Sequence, residues 1–155
     1  MSDQAKTRVV VASDHAALGA RRTVVATLGE HDVEVVDLGP NDDSSVDYPD
    51  FARAVAERVA AGEADYGILL CGTGIGMSIA ANKVPGIRAA LVHDSFTAEM
   101  ARRHNDANVL VLGGGVLGDR LIASIVDTWV GAPFEGGRHQ RRLDKIAELE
   151  TTPRG

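Results

Sequence analysis

Cys71 is the only cysteine of the chain. It stands where an apolar run, Leu69-Leu70, enters a loop of alternating glycines, Gly72-Thr73-Gly74-Ile75-Gly76. Glycines leave backbone N–H groups uncovered and free to converge. A helix starting at the end of such a loop adds unpaired N–H groups and a partial positive charge. Together these form a trap for a small anion, with an ionisable sulfur at its lip. That pairing suits proton removal from a carbon beside a carbonyl, where negative charge must develop on oxygen. The thiolate is the form able to act as a general base. The plainer reading of a lone cysteine at a strand end is a small buried hydrophobe, and the glycine loop argues against it. Thr73 offers a hydroxyl in the same loop, or simply a helix cap.

The glycine spacing is not the dinucleotide fingerprint, because Met77 occupies its last glycine position. It is not a Walker A loop either, since no Gly-Lys-Ser/Thr follows. A nucleotide is therefore disfavoured and a small oxyanion remains. Asp14-His15 places a carboxylate beside an imidazole, a pair able to share acid–base work; a capping aspartate with an incidental histidine is the alternative. His104-Asn105-Asp106 reads by itself as a helix C-terminal turn, where a cationic histidine suits the dipole. Arg138 and Arg142, four apart, fall on one helix face and could grip a phosphate with forked donors. They belong to a cationic cluster with His139, Arg141 and Lys145 whose plainer reading is a solvated helix face. The five histidines show no paired metal spacing, so no metal site is expected. No Gly-x-Ser-x-Gly elbow supports serine hydrolase chemistry.

The elements that must position these groups alternate. Strands are predicted over 7–13, 33–38, 66–71, 87–92 and 108–112. Helices are predicted over 15–30, 48–61, 78–83 (as part of a third helix), 95–104 with Ser95 as N-cap, 117–130 and 138–150, with a frayed tail from 151. Such alternation means βαβ units, right-handed crossovers and a parallel sheet covered on both faces. The expected fold is a three-layer α/β/α sandwich with a five-stranded parallel Rossmann-like sheet. Ligands in such folds sit beyond the carboxyl ends of the strands, which is where Asp14, His15, the 39–48 segment, Cys71 with its glycines, His93-Asp94 and Gly113-Gly114-Gly115 gather.

At 155 residues the chain is expected to form one domain over 1–155. A 45% hydrophobic and 25% charged composition is that of an ordinary globular protein. The net charge of −6 argues against general nucleic-acid binding. No apolar run is long enough for a membrane span, and the N-terminus lacks the apolar centre of a signal peptide. A single cysteine fits a reducing, cytoplasmic setting.

Several segments together resemble the type B ribose-5-phosphate isomerases and the related galactose-6-phosphate isomerase subunits. They are Ser13-Asp14-His15-Ala16, Asp47-Tyr48-Pro49, the Cys71 glycine loop, Ala80-Ala81-Asn82-Lys83, His104-Asn105-Asp106-Ala107-Asn108-Val109 and Gly136-Gly137-Arg138-His139-Gln140-Arg141-Arg142. Each is weak alone; their joint order and spacing, over about residues 9–150, are specific. The resemblance implies cofactor-free and metal-free aldose–ketose isomerisation of a sugar phosphate, a step of the pentose phosphate pathway. It implies Cys71 as general base and the amides of Gly72, Thr73, Gly74, Ile75 and Gly76 as stabilisers of an enediolate. Thr73, Asp14 and His104 would open the sugar ring, His15, Arg138 and Arg142 would hold the phosphate, Asn105 would contact sugar hydroxyls, and Tyr48 would join the substrate site. It further implies a homodimer with shared active sites, His104-Asn105 coming from the partner, with pairing into a tetramer as a further option.

Two departures bear on the substrate. Many relatives carry an arginine where this chain has Gly115, which opens the alternatives of a tetrose or of a hexose phosphate such as galactose 6-phosphate or allose 6-phosphate. Ala17-Leu18-Gly19 also differs from the usual glycine-aromatic pattern after Asp-His. Some relatives use a glutamate base further along the loop; here the loop has no acidic residue, which favours the thiolate. A non-catalytic phospholigand-binding module on the same fold is the reading from another class.

Overall fold

The computed structural model describes residues 4–153. The elements run β1 (Thr7–Ser13), α1 (Leu18–Leu28), β2 (Val33–Asp37), α2 (Tyr48–Ala60), β3 (Tyr66–Cys71), α3 (Ile75–Ala81), β4 (Ala89–Leu91), α4 (Ser95–Arg103), β5 (Val109–Gly113), α5 (Asp119–Gly131) and α6 (Arg138–Thr151). The five strands form one parallel sheet in the order β2-β1-β3-β5-β4. It is the expected three-layer α/β/α Rossmann-like fold. The chain turns outward from β1 to β2 and then crosses back to β3, so the order reverses between β1 and β3. A crevice opens at such a reversal, outside the carboxyl ends of the strands. Ser13 and Cys71 end the two strands that flank it.

Alternation along the buried strands divides the core. Val9, Val11, Ile68, Leu70, Leu110 and Leu112 face one layer, against α1, α4 and α5, with Trp129 at its centre. Val10, Ala12, Leu69, Cys71, Val109 and Val111 face the other, against α2 and α3. Each large side chain buried this way contributes about 1.5–3 kcal/mol. The alternation also decides the direction of the thiol: Cys71 points to the face on which α3 begins. No described helix is long and apolar enough to cross a membrane.

Several boundaries differ from the sequence reading, each for a local reason. The helix expected over 15–30 opens with a 3-10 turn, His15–Ala17, because the Asp14 carboxylate accepts the Ala16 N–H at 2.9 Å. β4 is shorter than 87–92. The Ile87 N–H turns back to the Val84 carbonyl, and the Arg88 N–H goes to the Asn108 side chain. Asp94, not Ser95, caps α4: its carboxylate accepts the Thr97 N–H at 2.6 Å. That backbone bond holds the Asp94 carboxyl below the usual carboxylate range. The Ser95 hydroxyl meets the Ser124 hydroxyl instead, at 2.7 Å. α3 starts at Ile75, α5 only at Asp119, and α6 includes Thr151, where the tail was expected to fray. The last two residues of that tail lie outside the described ones.

Candidate active site

Cys71 is 5% exposed and borders the apolar layer under α3. Its sulfur nevertheless has a polar partner: the Gly74 N–H reaches Sγ at 3.2 Å. Gly74 has φ of +80°, a left-handed conformation open to glycine, and this bend turns its amide toward the sulfur. The Ile75 N–H goes to Thr73 Oγ1 at 3.2 Å. Two of the five loop amides are therefore engaged within the loop, a refinement of the expectation that all five face a ligand. Those of Gly72, Thr73 and Gly76 have no protein partner among the described bonds.

The backbone behind the loop explains why its amides point outward. The Gly114 N–H takes the Cys71 carbonyl at 2.8 Å, and the Gly115 N–H takes the Gly72 carbonyl at 2.9 Å. Both carbonyls are thereby turned toward β5. The contact is too tight for side chains: a Cβ on Gly113 would stand 2.7 Å from the Thr73 carbonyl oxygen, and one on Gly115 would stand 3.0 Å from that of Gly72. On the opposite side the Tyr48 ring lies over Gly76, where a Cβ would stand 2.4 Å from the ring. Tyr48 is partly exposed at the start of α2, so its hydroxyl borders the same loop.

Asp14 and His15 join the thiol from β1. The Asp14 N–H donates to the Leu70 carbonyl at 3.1 Å, tying the turn to the end of β3. Asp14 is buried, and its carboxylate caps the 3-10 turn. His15 is half-buried, and its Nδ1 accepts the Val46 N–H at 3.1 Å. Asp14, His15, Tyr48, Cys71, Gly72, Thr73, Gly74, Ile75 and Gly76 are thus gathered at one end of the sheet.

His104, Asn105, Arg138 and Arg142 are gathered at the other end of the same chain. Val109 starts β5 level with Gly67, whereas Gly113 ends it level with Cys71. The His104-Asn105 turn precedes Val109, so it lies at least about 13 Å along the sheet from the thiol, at roughly 3.3 Å per residue. Two buried or half-buried arginines shape that turn. Arg102 donates to Asp106 and Tyr66 and lies over the Tyr66 ring, 4.5 Å from its centre. Arg88 donates to the Asn105 and Asp106 carbonyls. Asp106 takes a φ of +43° there.

The His104 ring stacks on His139 from the first turn of α6, centroids 4.1 Å apart and planes 10° apart. Glu135 Oε1 lies 3.5 Å from His104 Nε2. Burial, and next the neighbouring His104, pull the pKa of His139 below the usual histidine range. The ligand atoms of His104, Glu135 and His139 all lie within 4.8 Å of one another. Residue spacing could not reveal this group, because the fold assembles it from positions 31 and 35 residues beyond His104. Parallel stacked rings direct their nitrogen lone pairs side by side rather than toward one point, an arrangement poor for a shared metal ion. Arg138 and Arg142 are exposed on the first two turns of α6, at the same end as His104.

Sequence reading missed Arg21, Arg88, Arg102 and Glu135, and it placed His139 only in a cationic cluster, not against His104. Burial is the signal that distinguishes Arg21, Arg102 and His139, and burial of a charged residue is not legible from a helix pattern alone.

Comparison with known proteins bears on the whole chain. The family model for ribose/galactose isomerases matches residues 9–146. The chain is 47% identical over 143 residues to the ribose-5-phosphate isomerase B of Escherichia coli, covering 92% of this chain and 96% of that one. It superposes on the ribose-5-phosphate isomerase B of Clostridium thermocellum with a TM-score of 0.91 at 51% identity, covering 94% and 98%. The enzyme of Mycoplasma genitalium, solved with bound ribulose-5-phosphate, gives 0.89 at 47% identity, covering 95% and 98%.

Proposed function

The chain belongs to the ribose/galactose isomerase family and is an aldose–ketose isomerase of sugar phosphates; from that premise we propose that it interconverts ribose 5-phosphate and ribulose 5-phosphate, with Cys71 as the general base. The observation that carries the reading is the Gly74 N–H directed at Sγ beside three unengaged loop amides. The Cys71 thiolate takes the proton from C2 of the open-chain aldose. The electron pair moves into a C1–C2 double bond, and O1 takes the negative charge. The amides of Gly72, Thr73 and Gly76 bind that enediolate, each well-placed donor being worth about 2.7–4 kcal/mol. The O2 proton passes to O1, and the thiol returns its proton to C1, so the ketose forms with no net change in protons. A positioned base contributes about 10²–10⁴-fold. Asp14 and Thr73 stand at the same end for proton exchange with the hydroxyls.

The remaining groups require a second copy of the chain. His104, Asn105, Arg138 and Arg142 cannot reach Cys71 of their own subunit, because the sheet separates them. Ile75 and Ile79 are 54% and 58% exposed and form an apolar stripe down α3 from the thiol loop. The stripe leads into a cleft of about 970 Å³ whose lining includes Ile79, Leu143, Ile146, Leu149 and Asn105. A two-fold copy laid along this stripe carries its His104-Asn105 end to this chain's Cys71 end. In the homodimer so formed, the partner's copies of His104 and Asn105 open the ring and bind hydroxyls. Its arginines, with His15 of this chain, hold the phosphate. The cytoplasm is the compartment in which a single free thiol of this kind stays reduced.

Gly115 favours a second reading of the substrate. No side chain stands at this point of the mouth, and adding one meets the Gly72 carbonyl. A longer sugar, a hexose phosphate, turned over by the same chemistry is that second reading. Turnover measured across four-, five- and six-carbon aldose phosphates separates the two. The highest kcat/KM is expected on ribose 5-phosphate; none there, beside strong turnover of another, overturns the choice.

A further inference from the structure

The carboxyl end of the sheet holds a buried cation that the chemistry above does not use. Arg21, on α1, is 6% exposed. One terminal nitrogen donates to Ser13 Oγ at 2.6 Å, and the other donates to the Pro40 carbonyl. Its Nε lies 3.1 Å from Asp37 Oδ1, too bent for a hydrogen bond. A guanidinium cannot accept, so the Ser13 hydroxyl proton is directed to the Asp14 carbonyl, 2.9 Å away. The ends of β1 and β2 and the start of the loop after β2 therefore meet on one planar fork.

That loop reaches the candidate site at its far end. Between Pro40 and Val46 the residues are exposed, and the one described side-chain bond joins Asp42 to Ser44 within the loop. The loop then delivers the Val46 N–H to His15 Nδ1 at 3.1 Å. An Nδ1 that accepts carries no proton, so the ring bears it on Nε2. A buried guanidinium with one bent ion pair is a poor stabiliser in its own right. What it supplies is direction, since a fork fixes two acceptors at once.

We infer that Arg21 is a positioning residue for His15: by spanning Ser13 Oγ and the Pro40 carbonyl it holds the loop whose Val46 amide keeps the imidazole in its Nε2–H form. Arg21 itself touches no substrate. The inference deepens the proposed function, resting on its reading of His15 as a phosphate ligand.

Arg21→Met and Arg21→Lys test it by steady-state kinetics on ribose 5-phosphate. Two-bond ¹H–¹⁵N spectra of histidine-labelled protein supply the second readout, with His15 assigned by His15→Asn. Arg21→Met is expected to raise KM about tenfold with kcat within about twofold. The two His15 nitrogens should move from one locked tautomer toward averaging. Adding Arg21→Met to His15→Asn should raise KM no further. Arg21→Lys, whose single ammonium cannot span both acceptors in one plane, should show the same trend at about threefold. A wild-type KM and a locked tautomer in either folded variant overturn the inference, whatever happens to Tm. If the Met variant does not fold, the Lys variant decides. An unchanged KM in His15→Asn would instead overturn the phosphate reading, and the tautomer spectrum would then judge the clamp alone.

Discussion

A buried cysteine is ordinary, and Cys71 departs from the ordinary by one contact. Its neighbours Leu69 and Val111 are apolar, but its sulfur receives an amide hydrogen from the bend at Gly74. In the proposed reaction, shielding from solvent would keep a carbon acid and its base undiluted by water, and the loop amides would hold the charge that moves onto oxygen. Cys71→Ala should therefore lower kcat by at least about 10²-fold and leave binding of ribose 5-phosphate nearly intact, as calorimetry beside steady-state kinetics would show. Comparable losses in affinity and turnover would mean that the sulfur organises the loop rather than moves a proton. Arg142 belongs to the opposite case. As the proposed phosphate ligand it would stand far from the reacting carbons, so Arg142→Ala should raise KM about tenfold or more at little cost in Tm, a forked contact to phosphate being among the stronger hydrogen bonds; an unchanged KM removes it from the phosphate site. The thiol and its glycines were legible because they are contiguous. Arg21, which gathers Ser13, Asp37 and Pro40, was not, since nothing local ties position 21 to position 40.

At the scale of elements, the glycines at and just after the end of β5 matter as much as those of the thiol loop. Gly113 closes the strand against the Thr73 carbonyl with no room for a Cβ, and Gly114 and Gly115 turn the Cys71 and Gly72 carbonyls away from the mouth. Gly113→Ala must push the two backbones apart. Overpacking of this kind costs about 1–3 kcal/mol, visible as a lower denaturant midpoint, and kcat should fall with it because the amides lose their common focus. Retention of full kcat in a destabilised Gly113→Ala protein would show that the loop holds its shape without β5. The five strands were legible because buried parallel strands read as unbroken apolar runs. The edges were less so. β4 loses its first residues because Arg88 and Asn108 bond each other's segment, and the α4 cap falls to Asp94 because its carboxylate takes the Thr97 amide while the Ser95 hydroxyl is engaged with that of Ser124.

At the scale of the molecule, the sheet itself separates the two groups of residues that the proposed reaction brings together. Parallel strands put Cys71 at their carboxyl ends, and an αβ connection must bring the chain back to their amino ends, where His104 and Asn105 sit. No loop movement within one subunit closes a gap the length of β5. The His104 and His139 rings stack at 4.1 Å, as the glycine bend orders the thiol loop, so in the proposed homodimer both halves would be preformed and would meet across a two-fold axis. Cys71→Ala and His104→Ala should each be nearly inactive as homodimers. Mixed under conditions of subunit exchange, half of the dimers become mixed, and each mixed dimer carries one site with both wild-type groups and one with neither. Activity should then return to about one quarter of the wild-type value. If exchange is confirmed by mass and activity does not return, Cys71 and His104 do not serve one site across an interface. The ring would then have to open by groups already at the carboxyl end, Asp14 and Thr73 foremost.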